Sequence, residues 1–428
     1  MKINVSEKTT HVTYEGTPAK RITSEQELRR SVCSCMLWEN EFYEDGQSIA
    51  ARIIETIPKV KPQIVADLAI EARERFKLRH IPLLLVRELA RNHALKAKTL
   101  ARIIQRPDEL TEFMALYWQD GKVPLSKQVK IGLAQAFGKF SEYQLAKYDG
   151  DGKVKLRDVL FLCHAKPTEA QAPIWKKLID GTLEAPDTWE VNLSSGKGKK
   201  ETWERLLAEK KLGGLALLRN LRNMKESKVD ESLVKTAIVD MKTDRILPFR
   251  FIAAARYAPQ WEPELESAMM KCLAEMPKLT GKTTLLVDVS GSMYNAKISA
   301  KSDLDRIDAA CGLAILIREL CENANILTFS NDLVQVAPRH GFALRDAIHN
   351  SQPHSQTHLG AAVNALSNYE RLIVLTDEQS QDAVPNPKAK GYMVNVASAQ
   401  NGIGYGAWNH VDGFSEVVID WIREYEAG

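Results

Sequence analysis

The chain has 428 residues, of which 44% are hydrophobic and 26% are charged, and its formal net charge at pH 7 is +3. These values exclude a disordered chain, and the length predicts at least two domains, because single cores rarely exceed about 250 to 300 residues. No apolar run approaches the roughly 18 residues of a membrane span, and the first residues lack a signal-peptide core, so we expect a cytoplasmic protein without a membrane partner.

Charge is divided unevenly along the chain. From residue 281 onward there are 11 Lys and Arg against 17 Asp and Glu, a balance of −6. The preceding residues hold the remaining 47 Lys and Arg against 38 Asp and Glu, a balance of +9. A basic half indicates a polyanionic partner, so the two parts of the chain predict different ligands.

The first part of the sequence predicts short helices. Residues 1–20 are polar, and we interpret them as an N-terminal arm. From residue 21 to 275 apolar side chains recur at helical spacing, as in Ile49, Ile53 and Ile57. Prolines punctuate these clusters at helix ends. Many short paired helices predict an all-α, HEAT-like helical-repeat domain over 21–275.

After a linker at 276–282 the pattern changes to alternating strands and helices. The predicted strands are 283–288, 324–329, 371–376 and 392–397, and the predicted helices are 305–320, 342–348, 359–366 and 414–425. Such alternation predicts an α/β domain over 283–428, with a parallel, Rossmann-like sheet covered on both faces.

Oxygen-bearing side chains follow the first strand of this sheet. Asp288, Ser290 and Ser292 are spaced two apart just past the run Thr284–Val287. Open α/β sheets place ligands at the carboxyl ends of their strands. Carboxylates and hydroxyls are hard ligands, which predicts Mg²⁺ or Mn²⁺ rather than zinc. The alternative is that these residues only cap helices and turns.

This Asp-x-Ser-x-Ser pattern resembles the start of the metal-ion-dependent adhesion site of von Willebrand factor A domains. The resemblance implies two further ligands from later loops. Thr357 precedes a predicted helix and Asp377 ends a predicted strand, and they match those positions in order. It also implies a divalent cation, Mg²⁺ with Mn²⁺ as the alternative, that can accept a carboxylate from a partner.

Three segments of the helical part resemble the Ro autoantigen family: 156–167, 213–224 and 246–256. In that family helical repeats form a ring, the TROVE domain, followed by a von Willebrand factor A domain. The resemblance spans about residue 17 to the end and includes 391–398 and 412–415. It implies a non-enzymatic ribonucleoprotein for RNA quality control. Noncoding Y-like RNA would bind on the outer face and single-stranded 3′ ends of misfolded RNA in the hole.

Basic side chains beside aromatics in the helical part are the candidate RNA contacts. Single-stranded RNA is held by positive grooves with stacking groups. The alternative for each residue is a solvated helix face balanced by acidic neighbours. The candidates are Arg79, His80, Lys127, Lys130, Lys139, Lys147, Lys155, Arg157, His164 and Lys166.

Two other classes of function stay open from the sequence. One is a metal-dependent protein adhesion module in which the helical domain is a scaffold, with an exoribonuclease or other protein bound through the metal site. The other is a metal-dependent nuclease, for which Glu378 or His358 would be the base. We expect no enzyme activity and a monomer.

Overall fold

The computed structural model describes residues 23–33, 46–150, 152–184, 187–194, 198–243, 246, 249–274, 276–294, 305–396, 407–412 and 417–427. The arm predicted for residues 1–20 lies outside this set. The helices before the sheet are α1 (Ser24–Cys33), α2 (Gly46–Thr56), α3 (Pro62–Glu74), α4 (His80–Arg91), α5 (Ala97–Ile103), α6 (Pro107–Tyr117), α7 (Lys127–Phe137), α8 (Glu142–Tyr148), α9 (Leu156–Cys163), α10 (Ala172–Asp180), α11 (Trp189–Ser194), α12 (Lys199–Ala208), α13 (Gly214–Glu226), α14 (Glu231–Asp240), α15 (Phe249–Tyr257) and α16 (Glu262–Ala274).

The described residues form two compact units. One comprises the described parts of 1–49, 213–226 and 231–428, and we call it the sheet unit. The other comprises the described parts of 50–212 and 227–230, and we call it the helical unit. The sheet unit therefore includes α13 to α16, which precede the sheet in sequence.

Helix starts in the helical unit follow the local sequence. Pro62 and Pro107 occupy the first turns of α3 and α6, where proline costs no hydrogen bond. The hydroxyl of Ser126 accepts the Val129 N–H at 3.3 Å and caps α7. Helices that are close in sequence then pack against each other, α3 on α4, α4 on α6, α5 on α7 and α7 on α9.

A buried ion pair connects α3 to α6. Arg73 Nη2 lies 2.5 Å from Glu109 Oε1, and both side chains are buried. Arg73 also donates to the carbonyls of Ile103 and Leu78 at 3.0 and 3.1 Å. Glu109 accepts the Gln105 N–H at 2.7 Å. Because partners surround both charges, the pair fixes the packing of these helices.

The sheet has the strand order β3-β2-β1-β4-β5-β6. All neighbouring strands are parallel except β3, which runs antiparallel to β2 at the edge. The strands are β1 (Leu279–Asp288), β2 (Cys321–Phe329), β3 (Leu333–Gln335), β4 (Arg371–Thr376), β5 (Lys390–Asn395) and β6 (Asn409–Asp412).

Helices α17 (Gly291–Tyr294), α18 (Arg306–Leu320), α19 (Gly341–His349), α20 (Leu359–Ala365) and α21 (Val417–Ala427) complete the sheet unit. Eleven of the fifteen residues of α18 are buried, including every residue from Ala309 to Ile317, as expected of a helix covered on most sides. Leu286, Val374 and Met393 of three strands pack with Leu359 and Val363 of α20 in one core.

Helices α15 and α16 pack against α18 and α19 within the sheet unit. The Glu266 carboxylate of α16 accepts the Phe342 N–H of α19 at 2.6 Å. Arg345 of α19 lies 3.2 Å from Glu262 of α16. Polar contacts therefore fasten the last helices before the sheet to the helices that cover it.

The structure confirms the predicted fold class, helices followed by an α/β domain with a largely parallel sheet. β1 begins at Leu279, inside the segment predicted as a linker, and β3 and β6 were not predicted. Within the described residues, no helix has both the length and the apolar character needed to cross a bilayer.

Candidate metal centre and nucleic-acid interface

The carboxyl edge of the sheet brings the ends of β1 and β4 together. Val287 pairs with Leu375 in parallel register, so Asp288 and Thr376 come next at the same edge. Thr376 Oγ1 donates to Asp288 Oδ2 at 2.6 Å. The Ser290 N–H donates to Asp288 Oδ1 at 2.9 Å. Both carboxylate oxygens of Asp288 are therefore held in place.

Two serine hydroxyls lie beside this carboxylate. The Oγ atoms of Ser290 and Ser292 are 3.2 Å apart, and Ser290 is buried. The Gly291 N–H between them donates to the Ser355 carbonyl at 3.0 Å. This bond fastens the turn after β1 to the loop that carries Thr357.

Thr357 is buried in the loop before α20. Ser330, just after β2, holds this loop from both sides, because its hydroxyl donates to the Gln356 carbonyl at 2.8 Å and accepts the Ser355 N–H at 3.0 Å. The Thr357 carbonyl accepts the Gln381 N–H at 3.0 Å. The loops after β1, β2 and β4 are therefore linked by hydrogen bonds around the candidate site.

Asp377 adds a second buried carboxylate at this edge. Its Oδ2 accepts a hydrogen bond from Arg306 Nη1 at 2.7 Å. Among the described residues its Oδ1 has no hydrogen-bond partner. Burial, and next the negative charge of Asp377, raises the pKa of Asp288. The charge of Asp377 therefore opposes the ionisation of Asp288.

This donor set fits a small, hard cation. Two carboxylates and three hydroxyls supply oxygen ligands only, and one buried carboxylate oxygen is left for a ligand. A divalent cation would also remove the repulsion between the carboxylates. No three His, Cys, Asp or Glu side chains in the described ranges are grouped to hold a metal. A cation here would therefore depend on the hydroxyls as well.

Sequence reasoning missed Arg306 and Thr376. Thr376 immediately precedes Asp377 at a strand end, and that position was the available signal. Arg306 begins α18, 71 residues before the carboxylate that it contacts, so no local pattern marks it. The assignment of the five ligands to a metal stays a prediction.

The two residues considered as bases have local partners. Glu378 is buried, and its Oε1 lies 2.8 Å from His410 Nδ1. The Glu378 N–H donates to Thr376 Oγ1 at 3.0 Å. His358 Nε2 lies 2.9 Å from the Gln356 side-chain oxygen. These contacts give each residue a role in holding the loops.

In the helical unit, Arg79 and His80 face acidic residues of α6. Arg79 Nη2 donates to Asp108 Oδ2 at 2.6 Å and also contacts Glu112. His80 Nδ1 lies 3.8 Å from Glu112 Oε2. Burial lowers the pKa of His80 and raises the pKa of Glu112 to about 7. The charge of Arg79 is therefore offset inside the unit.

Lys139 and Lys147 also have intramolecular contacts. Lys139 Nζ donates to the carbonyls of Ala101 and Ile104 at the end of α5. Burial lowers the pKa of Lys139. Lys147 Nζ lies 5.7 Å from the centre of the Tyr148 ring, where it makes a cation–π contact. Lys139 thus satisfies helix carbonyls that would otherwise lack donors.

The remaining candidates differ in exposure. Lys130 and Lys155 are half-buried, and the Lys155 N–H donates to Asp158 Oδ2 at 2.9 Å. In the part of the chain that the structure describes, four exposed side chains have no acidic partner: Lys127, Arg157, His164 and Lys166. The structure thus separates the candidates whose side chains already contact other groups of the protein from the candidates whose side chains face solvent. Their roles as RNA contacts stay predictions.

Known proteins resemble both parts of the chain. Residues 175–309 match the TROVE domain model. Telomerase protein component 1 of Mus musculus is 24% identical over 229 residues, 50% of this chain, and the match spans 8% of that protein. The crystal structure of the Deinococcus radiodurans Ro (RSR) protein matches with a TM-score of 0.64 and 18% identity, covering 94% of this chain and 100% of that one. This last likeness concerns the fold.

Proposed function

We propose, from the premise that this chain is a TROVE-domain protein with the fold of Ro, that it binds RNA within a ribonucleoprotein. Its specific ligands would be noncoding, Y-like RNA and the single-stranded 3′ ends of misfolded RNA, and its role RNA quality control. The observation that carries the proposal is a set of exposed basic side chains on α7 and around α9 that have no acidic partner among the described residues: Lys127, Arg157, His164 and Lys166.

Exposed cations without acidic partners favour a polyanion for an electrostatic reason. A lysine already paired with a carboxylate must give up that partner before it binds a phosphate. An unpaired lysine or arginine only releases the counterions of the phosphate, which is favourable at low salt. The excess of nine basic residues before residue 281 adds a long-range attraction.

A salt titration tests RNA binding. The probes are a hairpin RNA with a 3′ single-stranded tail, the same hairpin without the tail, and a DNA of matched sequence. We expect log Kd to rise with log[salt] at about 0.7 to 0.9 per phosphate contact, and the tailed RNA to bind most tightly. Affinity that is independent of salt would contradict the proposal, and equal affinity for all three probes would contradict the 3′-end specificity.

We further propose that Asp288, Ser290, Ser292, Thr357 and Asp377 hold Mg²⁺, or Mn²⁺ in its place. The formal charges of the two carboxylates and the Arg306 guanidinium sum to −1, so the site would have a net charge of +1 with a divalent cation bound. Such a cation acts as an acceptor for an anionic ligand. The chemistry suits a carboxylate from a protein partner, for which an exoribonuclease is one candidate.

Calorimetric titration of the full chain with Mg²⁺ and with Mn²⁺ tests the metal site. We expect single-site binding that Asp377→Ala abolishes and Ser292→Ala weakens about tenfold. Ser351→Ala is the matched control, because Ser351 bonds Thr328 and the Ile348 carbonyl instead. Identical titrations for Asp377→Ala and the wild type would refute the assignment.

A metal-dependent protein adhesion module is the second candidate function, and it is favoured by the buried Asp377 oxygen that has no partner among the described residues. In this alternative the helical unit is a scaffold. Asp288→Ala separates the two functions: folded protein that loses RNA affinity would contradict a site devoted to protein partners. We propose no catalytic activity, a cytoplasmic location and a monomeric state. Mg²⁺-dependent RNA cleavage would overturn the first of these.

A further inference from the structure

A hollow of about 810 Å³ lies on the helical unit, between the end of α6 and the start of α9. None of the predicted RNA contacts lines it. Its lining includes two aromatic rings, two lysines, one carboxylate and an aliphatic side chain: Trp118, Phe161, Lys122, Lys153, Asp158 and Leu162. The hollow therefore combines flat apolar surfaces with positive charge.

Trp118 is held rigidly at the end of α6. Its indole N–H donates to the Val123 carbonyl at 2.9 Å, and its backbone N–H donates to the Met114 carbonyl at 3.1 Å. The turn that follows is closed by Gly121, whose φ of +114° favours glycine. The indole is thus fixed at the hollow before any ligand binds.

Phe161 is exposed without a packing reason. The buried stripe of α9 consists of Leu156, Val159, Leu160 and Cys163, at the i, i+3, i+4, i+7 spacing of a complete apolar face. Phe161 lies outside that stripe, and 57% of its surface is exposed. The helix core does not use this ring, so at the hollow it is available to a ligand with a flat apolar face.

The charges around the two rings favour an anionic ligand. Lys122 Nζ lies 5.4 Å from the centre of the Trp118 ring. Neither Lys122 nor Lys153 has an acidic partner within the described ranges of the chain, and both are exposed. The carboxylate in the lining belongs to Asp158, and its Oδ2 already accepts the Lys155 N–H that caps α9. The net charge of the lining is +1.

We propose that this hollow stacks an unpaired base of single-stranded RNA between or against Trp118 and Phe161, while Lys122 and Lys153 contact the adjacent phosphates. Aromatic side chains stack bases of any sequence, and lysines hold the backbone without reading it. The inference rests on the proposed RNA function and names the part of the molecule that takes unpaired nucleotides.

The test uses a 12-nucleotide single-stranded RNA with 2-aminopurine at alternate positions, whose fluorescence is quenched by stacking. We expect Phe161→Leu and Trp118→Leu each to weaken binding about 10-fold and to reduce the quenching. Tyr143→Leu is the matched control, because Tyr143 is 55% exposed in the same unit but does not line the hollow. It should change affinity less than twofold.

Two further arms separate stacking from other effects. On a sugar-phosphate oligonucleotide of equal length without bases, Phe161→Leu should bind as tightly as the wild type, because no base is present to stack. The double variant Lys122→Gln, Lys153→Gln should lower the salt slope by about 1.4, at about 0.7 per phosphate of a single strand.

The outcomes distinguish this inference from the proposed function. Wild-type protein that binds no RNA refutes the proposed function. Wild-type protein that binds RNA, with Phe161→Leu indistinguishable from Tyr143→Leu, refutes only the stacking site. If Trp118→Leu melts below the wild type, Phe161→Leu decides the question, since the exposed ring contributes little to folding.

Discussion

The carboxyl edge of the sheet and the surface of the helical unit obtain their functional side chains in different ways. At the sheet edge, parallel pairing of β1 with β4 places Asp288 beside Thr376, although 88 residues separate them. In the helical unit, the basic residues lie on or next to several helices, and packing decides whether an acid faces each of them. Arg79 meets Asp108, whereas Arg157 meets no acidic partner among the described residues.

This difference determines what a sequence can reveal. Backbone topology fixes the sheet edge, so a short motif at a strand end predicts a shared site. On the helices, a basic side chain can bind a ligand only if no acidic side chain already neutralises it. Those acidic partners come from other parts of the chain. A list of basic residues therefore mixes structural cations with cations that are available to a ligand.

The largest effect is expected at the buried Arg73–Glu109 ion pair of the helical unit, because these two charges contribute to the fold alone. Glu109→Ala should lower the free energy of unfolding by about 3 to 5 kcal/mol, since it leaves Arg73 buried without a counter-charge. Urea denaturation measures the loss. Glu71→Ala, which removes the carboxylate of the more exposed Arg75–Glu71 ion pair, should cost less than about 1 kcal/mol. Equal losses would contradict the distinction between structural and surface pairs.

In the sheet unit, a cluster of charged side chains between α21 and the sheet has a structural role like that of the buried pair in the helical unit. Burial alone would raise the pKa of Glu426, but hydrogen bonds from Arg371, Lys390 and Tyr392 outweigh burial and hold the pKa at about 2 instead of 4.5. Its carboxylate therefore stabilises the fold above pH 4.5, and this contribution is lost as the pH falls towards 2.

Acid denaturation checks the sign of this effect. Glu426→Gln should flatten the loss of stability between pH 4.5 and pH 2, while the exposed Glu322→Gln should leave that slope as in the wild type. A steeper slope in Glu426→Gln would mean that the carboxylate is not held in its ionised form.

Arg306 tests whether the sheet edge is built for a cation. Arg306→Met should lower stability in chelator by about 2 to 3 kcal/mol, because Asp377 is then buried without its cationic partner. Mg²⁺ should recover much of that loss and bind more tightly than in the wild type, since a repelling positive charge is gone. Thermal unfolding with and without Mg²⁺ measures both.

Arg256→Met is the control for this experiment. Arg256 pairs with Asp308 on the same helix as Arg306, but both side chains are more exposed than those of the Arg306–Asp377 pair. Mg²⁺ should stabilise this variant only as much as the wild type. If Mg²⁺ stabilises Arg306→Met no more than Arg256→Met, the buried carboxylates do not form a cation site.

Much of the fold could be predicted from the sequence. Strand 371–376 has the bounds that we predicted, because all six of its residues are buried and the apolar run has a clear start and end. β1 starts four residues earlier than predicted, since Leu279 and Lys282 pair with β2 although the register between them is irregular and no apolar run marks this segment. The resemblance to TROVE-domain proteins is confirmed by the matched residues 175–309.

The missed strands lie at the sheet edges. β3 has three residues and β6 reads Asn-His-Val-Asp, so neither offers the long apolar run that marks a central strand. Arg306 escaped prediction for a different reason. Its role depends on a contact to Asp377 in another loop, and nothing in the sequence around it signals that contact.

The helical surface was the least predictable part. Lys139 and Arg157 look equivalent in sequence, because each is a basic residue close to an aromatic one. In the structure Lys139 caps the carbonyls at the end of α5, and Arg157 is exposed. The hollow at Trp118 and Phe161 also went unnoticed, since its rings come from helices that are distant in sequence.

The most direct test of the account is the RNA affinity of two matched triple variants in the helical unit. The first replaces three exposed cations that lack acidic partners among the described residues, Lys127, Arg157 and Lys166, by Gln. The second replaces three exposed lysines that pair with acids, Lys176, Lys177 and Lys211, by Gln. Both remove three positive charges from the same unit.

Filter binding of the tailed hairpin RNA across a series of salt concentrations measures both variants against the wild type. We expect the first variant to lose about 10- to 50-fold in affinity near physiological salt, with a salt slope lower by about 2, and the second to change less than about threefold. Equal losses in the two variants would show that net charge alone attracts RNA, and would contradict a binding surface made of unpaired cations.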